Sequence, residues 1–182
     1  MAVAFDAAST QTQVTSLTPS FSHTCSGSNR LLTVGVFTDK VSSPQITHTS
    51  VTYNGVSMTK AVEVQDGTSD SGRVSLWYLV APDTGSNTVA ITVNANGGSN
   101  PRICAGAASF TGVDQVDPIG QTASTSGTNS SGSTLNITTL RDDSWVVDAL
   151  VTTAGGDDAT EAGTQTERYD IQNGSDRSNV QC

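Results

Sequence analysis

The sequence predicts one all-β domain, a two-sheet antiparallel β-sandwich that is either jelly-roll or immunoglobulin-like. Three observations carry this. Apolar and polar residues alternate with a period of two along most of the chain, turn signals recur about every ten residues, and no window of roughly 11 residues is helical in pattern. Composition agrees. Ser and Thr make up 51 of 182 residues, and Thr fits a half-buried strand, its methyl against neighbours and its hydroxyl toward water. A chain of 182 residues suits one domain with a real core better than two.

Val3, Ala4 and Phe5 open a short strand, followed by a polar stretch over 8–13. Phe21, His23 and Cys25 share one face of the next strand. The segment 30–37 is the strongest central strand, apolar on both faces except at Thr33 and Gly35. Gly35 there implies a bulge or the close approach of another backbone. Residues 46–53 form a strand that turns at Asn54-Gly55, a type I′ hairpin signal, and returns through Val56, Ser57 and Met58. Residues 61–65 extend this ribbon before a loop over 66–72. Further strands fall at 74–80 and 88–93, the latter with Val89, Ile91 and Val93 on one face. The strand 102–110 has small side chains, which imply tight packing against the facing sheet. Residues 113–119 are irregular, and 121–133 read as an exposed edge and loop. A short strand is expected over 134–138 and the last strong one over 145–151. After it come a polar loop over 152–165, a weak strand at 167–171 and a polar tail over 173–182. The organisation read from this is a sandwich core over 1–151, then an acidic loop and polar segment over 152–182. That segment is completed by a neighbouring chain or continues in a longer protein.

The formal charge is −9, with no Lys/Arg run. Such a field repels nucleic acid and anionic membrane, so neither is expected as a partner. No apolar run reaches the length of a membrane helix, and the first residues lack the basic and apolar regions of an export signal. The three cysteines, Cys25, Cys104 and Cys182, have no CxxC spacing, which argues against zinc. Cys25 and Cys104 are read either as a bridge between neighbouring strands or, more simply, as two small buried thiols.

Candidate chemistry is sparse. His23 reads as a core histidine, His48 as a surface cross-strand partner. No G-x-S-x-G or H-E-x-x-H motif is present. Asp142-Asp143 reads as a solvated turn, with nothing marking a raised carboxyl of the glycosidase kind. The chain is therefore expected not to be an enzyme and to need no cofactor; a small hydrolase is the remote alternative. Asp157, Asp158 and Glu161 in a Gly-rich loop form the best candidate for a Ca²⁺ site, although the spacing is not that of an EF-hand. The loop 66–70 is a poorer one. Trp77 and Tyr78 face opposite sides of one strand, so one of them can offer a stacking surface to a glycan. Core packing is the simpler reading for Trp77 and for Trp145.

Several blocks resemble a recurrent Thr/Gly-rich β-sandwich family. They are Phe21-Ser22-His23-Thr24, Gly27-Ser28-Asn29-Arg30-Leu31-Leu32-Thr33-Val34-Gly35-Val36, and Val51-Thr52-Tyr53-Asn54-Gly55-Val56-Ser57-Met58-Thr59. Trp77-Tyr78-Leu79-Val80-Ala81-Pro82 and Phe110-Thr111-Gly112-Val113-Asp114-Gln115 continue the likeness, which spans residues 3–151. The family occurs in bacterial surface or secreted proteins and in phage structural proteins, as decoration or tail-associated modules. The resemblance implies adhesion, decoration or glycan contact, and carries no catalytic set onto these positions. Such domains close with further apolar strands after the acidic loop, and this chain has none there. The resulting expectation is a virion structural protein whose partners are other structural chains, in a homo- or hetero-oligomeric assembly. The alternative is an extracellular or cell-surface carbohydrate-binding or adhesion module with a glycan as ligand.

Overall fold

The computed structural model describes residues 2–38, 46–65, 72–98, 100–126, 135–152, 165–173 and 176–181. It contains twelve strands and, among the described residues, no helix. They are β1 (Ala4–Val14), β2 (Ser20–Cys25), β3 (Leu31–Thr38), β4 (Thr47–Tyr53), β5 (Val56–Ser57) and β6 (Thr59–Gln65). The remainder are β7 (Arg73–Val80), β8 (Gly85–Asn94), β9 (Ile103–Thr111), β10 (Leu150–Thr152), β11 (Glu167–Asn173) and β12 (Asp176–Gln181).

Two antiparallel sheets form the sandwich, one ordered β1-β9-β3-β7-β6 and the other β2-β8-β4-β5. The pairs β1–β9, β2–β8, β3–β7 and β4–β5 are nested about the Asn54-Gly55 turn. A long ribbon folded over on itself in this way is a jelly roll, which decides between the two topologies read from sequence. The turn has positive φ at both Asn54 (49°) and Gly55 (78°), the type I′ geometry. After β5 the chain crosses to the other sheet and continues as β6 beside β7.

The core lies between the sheets. Leu32, Val34 and Val36 of β3, with Trp77, Ala105 and Ala107, meet Val51, Val89, Ile91 and Val93 from the facing sheet. Tyr53 is fully buried among them. Its hydroxyl lies 3.1–3.4 Å from the carbonyls of His23, Asp83 and Gly85 and accepts from Asn87 Nδ2 at 3.3 Å. Burial, with the neighbouring Cys25 thiol, pushes its phenol up to about 12. Tyr53→Phe leaves these groups short of a partner. It is expected to cost about 1–2 kcal/mol, read as a lower urea midpoint at unchanged slope.

β3 and most of β9 are buried on both faces because a third layer covers the outside of the five-stranded sheet. Part of that layer is a small sheet ordered β10-β12-β11, whose Tyr169 and Ile171 pack with Phe37, Val74 and Cys104. The rest comes from the non-strand segments 113–126 and 135–149, whose Val113, Ile119 and Val147 pack with Leu31, Ala108 and Phe110. The strand at 167–173 covers the weak one expected at 167–171, while 176–181, expected as part of a polar tail, is a further strand.

Other expectations are corrected here. The polar stretch 8–13 lies inside the 11-residue edge strand β1, paired to β9, whose ladder needs backbone groups and not apolar side chains. Residues 135–138 and 145–149 are not strands; strand structure in the second segment is confined to β10. Cys25 and Cys104 are both buried thiols. They sit in different clusters, one inside the sandwich and one on the outer face of the five-stranded sheet, and are not bridged.

Candidate interaction surface

The two histidines are core side chains. Period-two counting from Tyr53 and Val51 places His48 on the outside, but a bulge between His48 and Ser50 turns it inward. It is buried, with Nδ1 2.6 Å from Ser75 Oγ and Nε2 3.1 Å from Thr38 Oγ1. The surface role expected for it is overturned. The Trp77 indole N–H donates to the same Ser75 oxygen at 2.8 Å, so this hydroxyl joins the indole and the His48 ring. Burial, together with Arg73 and Lys60 and against Glu63, pushes His48 down to about 3, so it is neutral. Lys60 closes this end of the barrel. It donates to the His48 carbonyl at 2.9 Å, pairs with Glu63 and lies 4.9 Å from the centre of the Trp77 ring.

His23 lies on β2 with Nδ1 3.0 Å from Ser9 Oγ, and burial lowers its pKa against the pull of Asp6. Asp6 itself binds Ser26 and Ser109. Burial raises its carboxyl, but the hydrogen bonds from both hydroxyls and from the Ser26 amide together hold it below its ordinary value. Each histidine nitrogen with a partner has a hydroxyl as that partner. Two surface cavities, of about 460 and about 250 Å³, are lined by residues of 112–140 with Asn29, and neither includes a histidine.

The expected glycan platform is placed differently. Trp77 is 5% exposed and faces the core, so a sugar stacking on it would have to enter the sandwich. Tyr78 is half-buried on the outer face, packed against the Leu31–Phe110 cluster. The exposed indole is instead Trp145, which was expected in the core. It meets Phe110 edge-on at 6.0 Å and remains 44% exposed. Asp157, Asp158 and Glu161 lie outside the described residues, as does the loop 66–70. Among the described residues no group of three His, Cys, Asp or Glu side chains could hold a metal ion.

What the structure brings together is two arms, 113–126 and 135–149. They are joined by Arg141, which donates to Asp114 and Asp117 at 2.7 Å each. Asp114 also accepts the Val116 amide at 2.8 Å, and this bond, the Asp117 amide and Arg141 hold its carboxyl low. The turn at 141–144 is set by Asp143 at φ 61° and by Ser144 Oγ donating to the Arg141 carbonyl. Ile137 and Leu140 line the smaller cavity with 121–123 of the outgoing arm. Of the seven exposed large hydrophobic side chains among the described residues, six lie here: Val116, Leu135, Ile137, Leu140, Trp145 and Val146. Isolated exposed apolar residues need no explanation; six on these two arms make them the candidate contact surface. Sequence reading missed it because Leu135/Ile137 and the run 145–151 have strand periodicity. The available signal was Val116 and Leu140 standing alone beside acidic and basic residues. Comparison with family models, curated proteins and solved structures yields no match to this chain.

Proposed function

We propose that this chain is a non-enzymatic structural protein of a virus particle, a phage decoration or tail-associated module that acts by packing against other protein chains. The observation that carries the reading is the set of exposed apolar side chains on 113–126 and 135–149, two arms linked by Arg141, with Val116 and Leu140 95% and 63% exposed. A neighbour that covers such side chains removes their apolar surface from water, which favours association. The jelly roll supports the reading by analogy, since capsid and lectin domains share it. So does the resemblance to phage structural proteins, and the charge of −9 disfavours a nucleic-acid ligand.

The test is retention on particles purified from the source of the sequence. The chain is expected in fixed ratio to the major shell protein. Val116→Glu and Leu140→Glu should weaken its rebinding about tenfold or more without lowering its melting temperature, because both side chains are already in water. Absence from the particles, or rebinding indifferent to both substitutions, overturns the proposal. Retention on a glycan array that depends on Trp145 would transfer the reading to carbohydrate binding.

A further inference from the structure

The two arms carry charge as well as apolar surface, and the two are interleaved. Leu140 precedes the turn Arg141-Asp142-Asp143-Ser144 and Trp145 and Val146 follow it, while Val116 lies between Asp114 and Asp117. Four carboxylates are exposed on the arms, at Asp114, Asp117, Asp142 and Asp143, against one cation, Arg141. That cation is already shared between Asp114 and Asp117. Asp142 and Asp143 pair with no cation among the described residues.

A surface that covers the apolar side chains also takes water from these carboxylates, and a carboxylate left dry without a partner is costly. The covering surface therefore has to bring Lys or Arg at its rim. Trp145 adds to that demand. Its indole meets Phe110 edge-on and is otherwise open to solvent, an aromatic face on which a guanidinium can stack.

A second copy of this chain does not meet the need. Its net charge of −9 repels its like. Of its eight Lys and Arg residues, five are engaged within the chain. Lys60, Arg73 and Arg141 are in ion pairs, Arg30 donates to the carbonyls of Gly27 and Pro82, and Arg168 lies over the Phe5 ring.

We infer that the arms dock a different protein, one whose contact surface sets apolar sockets within a rim of Arg and Lys that meets Asp142, Asp143 and Trp145. The inference rests on the reading of these arms as a contact surface and adds to it the chemistry of the partner.

Salt and charge test it on purified particles. Raising sodium chloride from about 0.1 M to about 1 M cuts the screening length from about 10 Å to about 3 Å. Association of the native chain should slow about tenfold or more across that range. The double variant Asp142→Asn, Asp143→Asn should associate slowly already at the lower salt and respond little to the higher. Asn accepts the positive φ of Asp143, 61°, so the turn is kept. Association indifferent to salt, or as fast in the double variant as in the native chain, overturns the inference. If Leu140→Glu still abolishes retention in that case, the contact surface stands without a basic partner. A dimer in native mass spectrometry that Leu140→Glu dissociates makes a second copy the occupant, and overturns the inference too.

If the particles retain none of the chain, the virion reading fails and a defined probe decides the inference separately. The chain has two Trp residues, hence two indole N–H signals by NMR, and that of Trp77 is held by Ser75 inside the sandwich. A peptide of alternating Leu and Arg should move the Trp145 signal and leave that of Trp77 in place. The same peptide with Glu for each Arg should move neither. Equal responses to the two peptides, or an undiminished response to the Arg peptide in the double variant, overturn the inference.

Discussion

Gly106→Ala is expected to release the C-terminal sheet from the jelly roll at a cost of about 3 kcal/mol. The new methyl would stand 2.0–2.6 Å from three carbons of the Tyr169 ring. Neither side can yield cheaply. The strand β9 is locked between β1 and β3, and the ring is tethered by its hydroxyl to the Gly106 carbonyl and walled by Phe37 and Cys104. The ring therefore leaves, and with it goes most of the apolar contact of β11. The estimate falls at the upper end of ordinary overpacking and the lower end of losing a buried aromatic ring. Limited proteolysis should then cut beyond Thr152 while the jelly roll persists. A double-mutant cycle isolates the contact: in a Tyr169→Ala background, Gly106→Ala should be neutral, since nothing remains to clash. Equal cost in both backgrounds would show that the glycine serves the backbone of β9 and not the ring.

That contact also shows where sequence reading stops. Much of the nine-strand body was legible because its signals were local: apolar runs at β3 and β9, alternation at Val89, Ile91 and Val93, and positive φ demanded by Asn54-Gly55. The polar half of β1 and the sheet to which β6 belongs were not. Small residues in 102–110 were read as tight packing against the facing sheet, which Ala105 and Ala107 provide, but the approach on the other face was not foreseen. Gly106 admits a ring from a strand more than sixty residues away, on the outer face. The segment 145–151 failed for a related reason. Period two reports which side chains share a face, not whether a sheet edge is free to pair, and Trp145 and Val146 end on the surface beside Phe110. His48 was inverted by one extra residue in β4, a bulge whose position depends on the partner strand β8. The acidic candidates at Asp157, Asp158 and Glu161 were chosen by composition alone and lie outside the described residues.

The same bulge makes the fold sensitive to acid. His48 is held neutral and down to about 3 in the folded chain, whereas an unfolded histidine takes its proton near pH 6.5. Between these values the unfolded chain binds more protons, so stability is complete above about pH 6.5 and falls as the pH drops toward 3. At about pH 5 the expected loss from this group is about 2 kcal/mol. Its surroundings explain why the charge is refused. Burial leads: a second ring proton would place a charge where the ring meets only two neutral hydroxyls, and the attraction of Glu63 is opposed by Arg73 and Lys60. His23 shifts in the same direction through burial, against the pull of Asp6. Asp6 and Glu63, both depressed, lose their contributions only at lower pH, through and below the ordinary carboxylate range. Asp148, raised by burial, acts in the opposite sense within that range. Urea midpoints at pH 7 and pH 5 should therefore separate clearly in the native chain. In His48→Gln, whose amide can still meet Thr38 and Ser75, the midpoint should be lower at pH 7 and the separation should shrink to what His23 supplies. An undiminished separation in that variant would move the acid sensitivity from the sandwich core to another group.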